Sequence, residues 1–423
     1  MDFKLKNFGK IAEADIKLDG ITVICGDNNT GKSTVGKALF SFYNSLCDYK
    51  TKINMQKYSK FRSFILANTN ASMPMDLSIG MLDSDNPISF ISSQNGNFTI
   101  EKVKNYIESN YSIKVSKSKI SSLVEYLNLP ESDILNEYIF RYYSLIMNNQ
   151  IKNLKSSTGR CYVSANIRNK KIAVSLNKKS CSCSPYEPIE HSAYYINNPY
   201  VLDWLNFSNL TWFLSSMNPM DRNVISAIAK AQADINADSM TNILESVTNR
   251  SDLEEVINVL KMAYRGDTKI SNGKYFYTDE NGENFDFRNI SAGLKAFGLI
   301  ERMLETGVLK KKDVLILDEP EIHLHSEWQI IYAELIVLLQ KKFDLTILIV
   351  THSFQFLESL NFFMKKYDTF KYGNYYIPEN TDKGVVMKSC TNNLSELKKG
   401  LKRGMYTLAD LQLDELDNGD SNG

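Results

Sequence analysis

The nine residues Gly26-Asp27-Asn28-Asn29-Thr30-Gly31-Lys32-Ser33-Thr34 have the types and spacing of a phosphate-binding loop, G-x-x-x-x-G-K-[ST]. The glycines let backbone N–H groups close around phosphate oxygens. A helix starting here adds the partial positive charge of its N-terminus. Asn28, Asn29, Thr30 and Thr34 complete the expected cradle around Gly26 and Gly31. Lys32 is expected to reach the β- and γ-phosphates and the Ser33 hydroxyl to coordinate Mg²⁺, so the expected ligands are ATP and Mg²⁺.

Three further groups fit the same chemistry. Asp313-Val314-Leu315-Ile316-Leu317-Asp318-Glu319-Pro320 is an apolar run ending in two carboxylates. Asp318, at the end of that strand, suits a Mg²⁺ ligand, and Glu319 is placed to accept a proton from attacking water. Leu345 to Val350 is a second buried strand, ending at Thr351-His352-Ser353, which puts His352 at the same kind of position as Asp318. Ser291 reads as a helix N-cap, followed by the nearly bare Ala292 and Gly293, so a phosphate could closely approach that helix N-terminus.

Elements must hold these groups in place. Ile21 to Cys25 reads as a buried strand before the loop, and the helix after it runs to about Leu46. Residues 3–25 predict three short strands, with Asp19-Gly20 as a hairpin signal. Residues 48–154 are mostly helical, clearest at 100–113, 120–127 and 132–151. Residues 160–176 read as a hairpin, 192–196 as a strand, 200–264 as helix broken near Pro219, and 274–287 as a hairpin around Asn281-Gly282. After His352 the pattern predicts a helix, two edge strands near 375–377 and 385–387, and a basic helix around 398–403.

Composition narrows the class. The chain has 423 residues, enough for two or three domains, with 49 Lys+Arg balancing 49 Asp+Glu. Residues 101–180 hold 14 basic against 6 acidic residues, a local excess that fits contact with DNA or RNA, while 408–423 carry five acids and no base. The six cysteines lack zinc spacing and are expected as free thiols. No run of about 18 apolar residues occurs, so no membrane contact is expected and a cytoplasmic location is.

Together, the loop, the Ile290-Ser291-Ala292-Gly293-Leu294-Lys295 stretch, Asp318-Glu319 and His352 resemble the ATP-binding-cassette (ABC) ATPases. The run Asp318-Glu319-Pro320-Glu321-Ile322-His323-Leu324-His325 resembles more narrowly the RecF, SMC and OLD (overcoming lysogenisation defect) group. Many members of that group are ATPase subunits of bacterial anti-phage systems, and Septu-type ATPases are similar in outline. The likeness covers roughly 1–47 and 270–362. Ala292 stands where the transporter signature has a glycine, and Leu294-Lys295 where a Gln is usual. No glutamine has the context of the family's Q-loop; the strand end Asn197-Asn198 is the candidate.

The resemblance implies an α/β fold: an ABC-type P-loop head with a mixed β-sheet core and a largely helical insertion. The head would comprise 1–47, 158–199 and 265–406, the insertion 48–157, a helical subdomain 200–264 and an acidic tail 407–423. It also implies a homodimer or higher oligomer, paired head to tail, in which Ser291 and Gly293 of one copy serve the nucleotide of the other. His352 would act as a switch histidine. An effector protein, a nuclease or toxin, is expected in trans. Residues 353–423 contain no D-x-D pair of the kind OLD nucleases use and are expected to finish the ATPase sheet rather than form a second catalytic domain. The alternative is a DNA repair or maintenance ATPase of the RecF/SMC kind.

Overall fold

The computed structural model describes residues 1–401 apart from 69–86, 95, 112–113, 158, 168, 186–187, 207–213, 215, 238–249 and 272–273. The acidic tail therefore lies outside the described residues. In chain order the fold begins with β1 (Asp2–Phe8), β2 (Ile11–Lys17), β3 (Ile21–Cys25) and α1 (Lys32–Leu46). Five helices follow: α2 (Tyr49–Asn68), α3 (Pro87–Ser93), α4 (Ile100–Tyr111), α5 (Lys117–Leu127) and α6 (Glu131–Ile146). Next come β4 (Cys161–Ile167), β5 (Lys170–Leu176), β6 (Cys181–Ser184), β7 (Ala193–Ile196), a 3-10 turn over Pro199–Asn206, α7 (Pro219–Ala237) and α8 (Arg250–Tyr264). A small sheet, β8 (Gly266–Ser271), β9 (Lys274–Asp279) and β10 (Asn284–Asp286), precedes α9 (Ala292–Glu305). The chain continues through β11 (Val314–Asp318), α10 (Ser326–Phe343), β12 (Thr346–Thr351), α11 (Phe354–Lys366), β13 (Asn374–Thr381) and β14 (Gly384–Ser389). Residues 394–401 are helical.

Eleven strands form one mixed sheet in the order β6-β5-β4-β1-β2-β14-β13-β3-β12-β11-β7. The run β7, β11, β12, β3, β13 is wholly parallel. Parallel strands covered on both faces must be apolar on both, and all five residues of β3 are buried. Alternate residues of β11 enter different cores. Leu315 and Leu317 join the core under α9 to α11, whereas Val314 and Ile316 join the core with α1. The α/β class with a mixed sheet, expected from the sequence, is the observed one.

The N-terminal hairpin alternates as a half-buried ribbon does: Phe3, Leu5 and Phe8 point inward while Lys4 and Lys6 point out. It continues through β4, β5 and β6 into an antiparallel flank. Helices α2 to α5 enclose a separate small core around Phe61, Val103, Ile107, Ile120 and Leu123. Helix α6 instead packs on α1, with Leu135, Ile139 and Tyr143 in the head core.

Two local expectations fail, for one reason. Asp19-Gly20 does not close a hairpin: β2 pairs with β1 and β14, while β3 pairs in parallel with β12 and β13. Gly20 supplies a left-handed turn, φ +62°, but the chain then leaves β2 for the middle of the sheet. Correspondingly, β13 and β14 are not edge strands. They fill the gap between β2 and β3 and join the antiparallel flank to the parallel core. Three smaller differences are local. The third helix of the middle region stops at Ile146, where left-handed Asn148 and Asn149 turn the chain, and β6 and β8 lie where the sequence pattern predicts no strand. Among the described residues no helix is long and apolar enough to cross a membrane.

Candidate functional site

Strand β3 ends at the phosphate-loop sequence. Gly26 and Gly31 have positive φ, +153° and +84°, and a Cβ on Gly31 would lie 2.9 Å from Ile11 Cδ1. Gly31 is the N-cap of α1, and no side chain caps the helix, so the N–H groups of Lys32 and Ser33 in its first turn are left for an anion. Asn29 is also left-handed, φ 65°. Its carbonyl accepts from Lys10 Nζ at 3.2 Å, and its side-chain oxygen accepts from the same ammonium, which ties the loop to the β1–β2 turn. Thr30 Oγ1 donates to Asp27 O at 2.7 Å, Thr34 N donates to Gly31 O at 3.1 Å, and Asn28 is exposed. Lys32 is buried, and its Nζ donates to the carbonyls of Gly26 at 2.8 Å and Asp27 at 2.6 Å. Burial pushes the Lys32 pKa down, opposed by the nearby charges of Glu319 and Asp318.

The carboxylates arrive on the neighbouring parallel strands. Strand register brings Asp318 at the end of β11 beside Val350 of β12, and Val350 beside Ile24 of β3. Ser33 Oγ donates to Asp318 Oδ1 at 3.1 Å, and Tyr195 OH donates to Oδ2 at 2.5 Å. Burial raises the Asp318 pKa, and the Tyr195 and Ser33 hydroxyls oppose that rise. A hydroxyl and a carboxylate side by side form an oxygen donor set that fits a hard divalent cation such as Mg²⁺. Tyr195 carries no signal of its own in the sequence. It lies on β7, which runs beside β11, and its aromatic ring packs against Phe40. A β-carbon on Gly36 of α1 would lie 3.0 Å from that ring, so a glycine there gives the tyrosine room.

Glu319 follows Asp318 in a left-handed conformation, φ 53°, uncommon for a residue with a side chain. Its N–H donates to Val350 O at 2.8 Å, which turns the chain sharply off the strand. The turn leaves its carboxylate 3.6 Å from His352 Nδ1, and that imidazole is 44 % exposed. Glu321 is marked in the sequence only by the run it belongs to, yet it is 4 % exposed and stands 3.7 Å from the same nitrogen.

Ser291 and Gly293 belong to a different neighbourhood. The Ser291 Oγ accepts from Leu294 N at 3.4 Å, which is the expected N-cap. A Cβ on Gly293 would lie 2.6 Å from the Trp328 ring, so packing inside this chain already requires a glycine there. Lys295, 1 % exposed, donates to Asp203 Oδ2 and to Arg288 O, both at 2.9 Å, and lies over the Tyr200 ring. These contacts fasten the start of α9 to the turn after Asn197-Asn198. Helix α9 packs on that turn and on α8, whereas α1 packs on α6, β7, β11 and β12. The basic hairpin β4–β5 lies towards the far end of the sheet from β7, with Lys170 and Lys171 exposed on β5 and Lys178 and Lys179 exposed in the turn between β5 and β6.

Ser33, Lys32, Asp318, Glu319 and His352 thus gather at the carboxyl ends of three adjacent parallel strands, where open α/β sheets bind ligands. No curated protein matches this chain. Among solved structures, the SMC head domain from Thermotoga maritima is 10 % identical, covering 92 % of this chain and 97 % of that one, with a TM-score of 0.37. An SmcHead bound to the C-winged helix domain of ScpA is also 10 % identical, with coverages of 93 % and 98 % and a TM-score of 0.45. A third, an Smc head domain with an extended coiled coil bound to the C-terminal domain of ScpA derived from Pyrococcus furiosus, gives 10 %, 97 %, 98 % and 0.42. The model of the AAA ATPase domain family matches residues 1–357, a span holding the phosphate loop, both strand-end carboxylates and His352, and the chain belongs to that family.

Proposed function

We propose that this chain binds ATP with Mg²⁺ and hydrolyses it as an ABC-type ATPase, that two copies pair head to tail around the nucleotide, and that turnover controls an effector protein in trans. The convergence of Ser33, Asp318, Glu319 and His352 at neighbouring strand ends supports it most directly. Lys32 and the first-turn N–H groups of α1 bind the phosphates. Ser33 and Asp318 hold Mg²⁺, which neutralises phosphate charge when bound. Glu319 orients the attacking water and takes its proton, and His352 stands 3.6 Å away, within reach of the same reacting group.

The head-to-tail arrangement follows the family resemblance and is supported by the different packing neighbourhoods of α1 and α9. Ser291 is exposed at its cap and free to meet a second copy. Replacing Ser291 by Arg is expected to abolish nucleotide-dependent dimer closure while ATP binding by the monomer stays within about threefold. Mixing Ser291→Arg with Lys32→Ala subunits restores one composite site at most. Light scattering without and with ATP checks this. Hydrolysis proportional to concentration down to low nanomolar protein, or closure retained in Ser291→Arg, would refute the trans site.

The run from Asp318 to His325 supports placing the protein in bacterial anti-phage defence, with a nuclease or toxin as effector. The exposed lysines of β5 and of the β5–β6 turn favour a second reading, a RecF/SMC-like ATPase of DNA repair or maintenance. Pull-down of the full chain with the products of neighbouring genes separates the two. The first reading expects a stoichiometric protein partner. The second expects nucleic acid, bound more weakly when Arg168, Lys170, Lys171, Lys178 and Lys179 are changed to Glu.

A further inference from the structure

Glu321 is a buried carboxylate to which none of the chemistry above assigns a task. It sits in the turn after the strand-end carboxylates, two residues beyond Glu319, with its side chain directed at the end of β12. One oxygen, Oε1, gathers three donors from consecutive residues there: the Thr351 hydroxyl, His352 N at 3.2 Å and Ser353 N at 3.2 Å. Ser353 N also donates to Thr351 Oγ1 at 3.0 Å, and Ser353 Oγ caps α11 through Phe356 N at 3.1 Å. The whole path from strand end to helix start is therefore closed around a single carboxylate oxygen. Hydrogen bonds to a charged acceptor are the stronger kind, and low exposure strengthens them further. Retaining a carboxylate in so buried a place costs desolvation, and an apolar residue would fill the space more cheaply. The three donors on Oε1 offset part of that cost, although burial still pushes the Glu321 pKa up and Oε2 has no hydrogen-bond partner.

The imidazole of His352 projects from the middle of this turn, with Nδ1 3.6 Å from Glu319 and 3.7 Å from Glu321. Its side chain is 44 % exposed, so the backbone that carries it contributes to setting its direction. We propose that Glu321 is a positioning residue: by holding the Thr351-His352-Ser353 backbone it sets His352 against Glu319, and so joins the two strand ends into one working unit.

This rests on the reading that His352 and Glu319 take part in hydrolysis, and two readouts keep the two claims apart. Deuterium uptake by the segment 346–353 reports the anchoring itself. It is expected to rise clearly in Glu321→Ala and to stay near the wild-type level in Glu321→Gln, whose side-chain carbonyl still accepts. Turnover reports the consequence. Glu321→Ala is expected to lose about 10²-fold in kcat with KM unchanged, the usual cost of a misplaced reacting group. Glu321→Gln is expected to stay within about tenfold of wild type. Glu321→Ala combined with His352→Ala is expected to be no slower than His352→Ala alone, because both changes disable the same unit. Unchanged uptake in Glu321→Ala, or kinetic losses that multiply in the double variant, overturns the proposal. Raised uptake together with wild-type turnover in His352→Ala overturns the role of His352 and leaves the anchoring standing. If Glu321→Ala does not fold, Thr351→Val removes one donor at nearly constant volume. A smaller rise in uptake is then expected, and no rise overturns the proposal.

Discussion

Lys32→Ala is expected to fold and to lose tight ATP binding. The side chain is buried yet charged, and its ammonium donates to two loop carbonyls, Gly26 O and Asp27 O. A phosphate chain brings several negative charges to the same place and offers stronger acceptors than neutral carbonyls. Each charge-assisted hydrogen bond of this kind is worth about 1.5–3 kcal/mol, so losing two weakens binding by roughly 10²–10⁴-fold. Stability should not fall in step. Burial already disfavours the lysine's charged form, as the downward push on its pKa shows, and removing it relieves that cost while losing two hydrogen bonds. Titration with a fluorescent ATP analogue, alongside thermal melting, checks both halves. Near wild-type affinity in a folded Lys32→Ala protein would mean the phosphates lie elsewhere.

Glu319→Gln is expected to bind ATP as the wild type does and to hydrolyse it about 10²–10⁴-fold more slowly, the usual size of a general-base contribution. The amide occupies the same space and preserves the left-handed turn, because the conformation depends on the backbone bond from Glu319 N to Val350 O. What disappears is the capacity to take a proton. Neither neighbouring carboxylate is placed to replace it: Asp318 is engaged by Ser33 and Tyr195, and Glu321 by Thr351, His352 and Ser353. Single-turnover hydrolysis with ATP prebound separates the chemical step from binding and release. A Glu319→Gln protein that turns over at the wild-type rate would remove Glu319 from the role of base.

The contiguous parts of the site are legible in the sequence. A strand, a glycine loop and a helix N-terminus lie within residues 21–46, and each carries its own signal in period, turn type or cap. The same holds for the apolar runs leading to Asp318 and His352, and for Ser291 as a cap, whose bond to Leu294 spans three residues. Gly293 shows where such reading stops. Its bareness suggests room for a phosphate, and the fold also gives it a neighbour, the Trp328 ring, from 35 residues further along the chain.

What the sequence by itself determined was therefore the family of chemistry and the residue types that carry it, because backbone propensity, capping and loop geometry act over a few residues. Only the tertiary structure decided which strands are neighbours. Asp19-Gly20 has the composition of a hairpin turn, yet β2 and β3 part there because β14 and β13 come between them. Ser33 meets Asp318 across 285 residues and Tyr195 meets it across 123, while Glu321 reaches Thr351 across 30. Strand order is settled by how whole apolar faces are buried together, a sum over distant segments that no local window contains. Tyr195 and Glu321 acquire their places at the site from that sum.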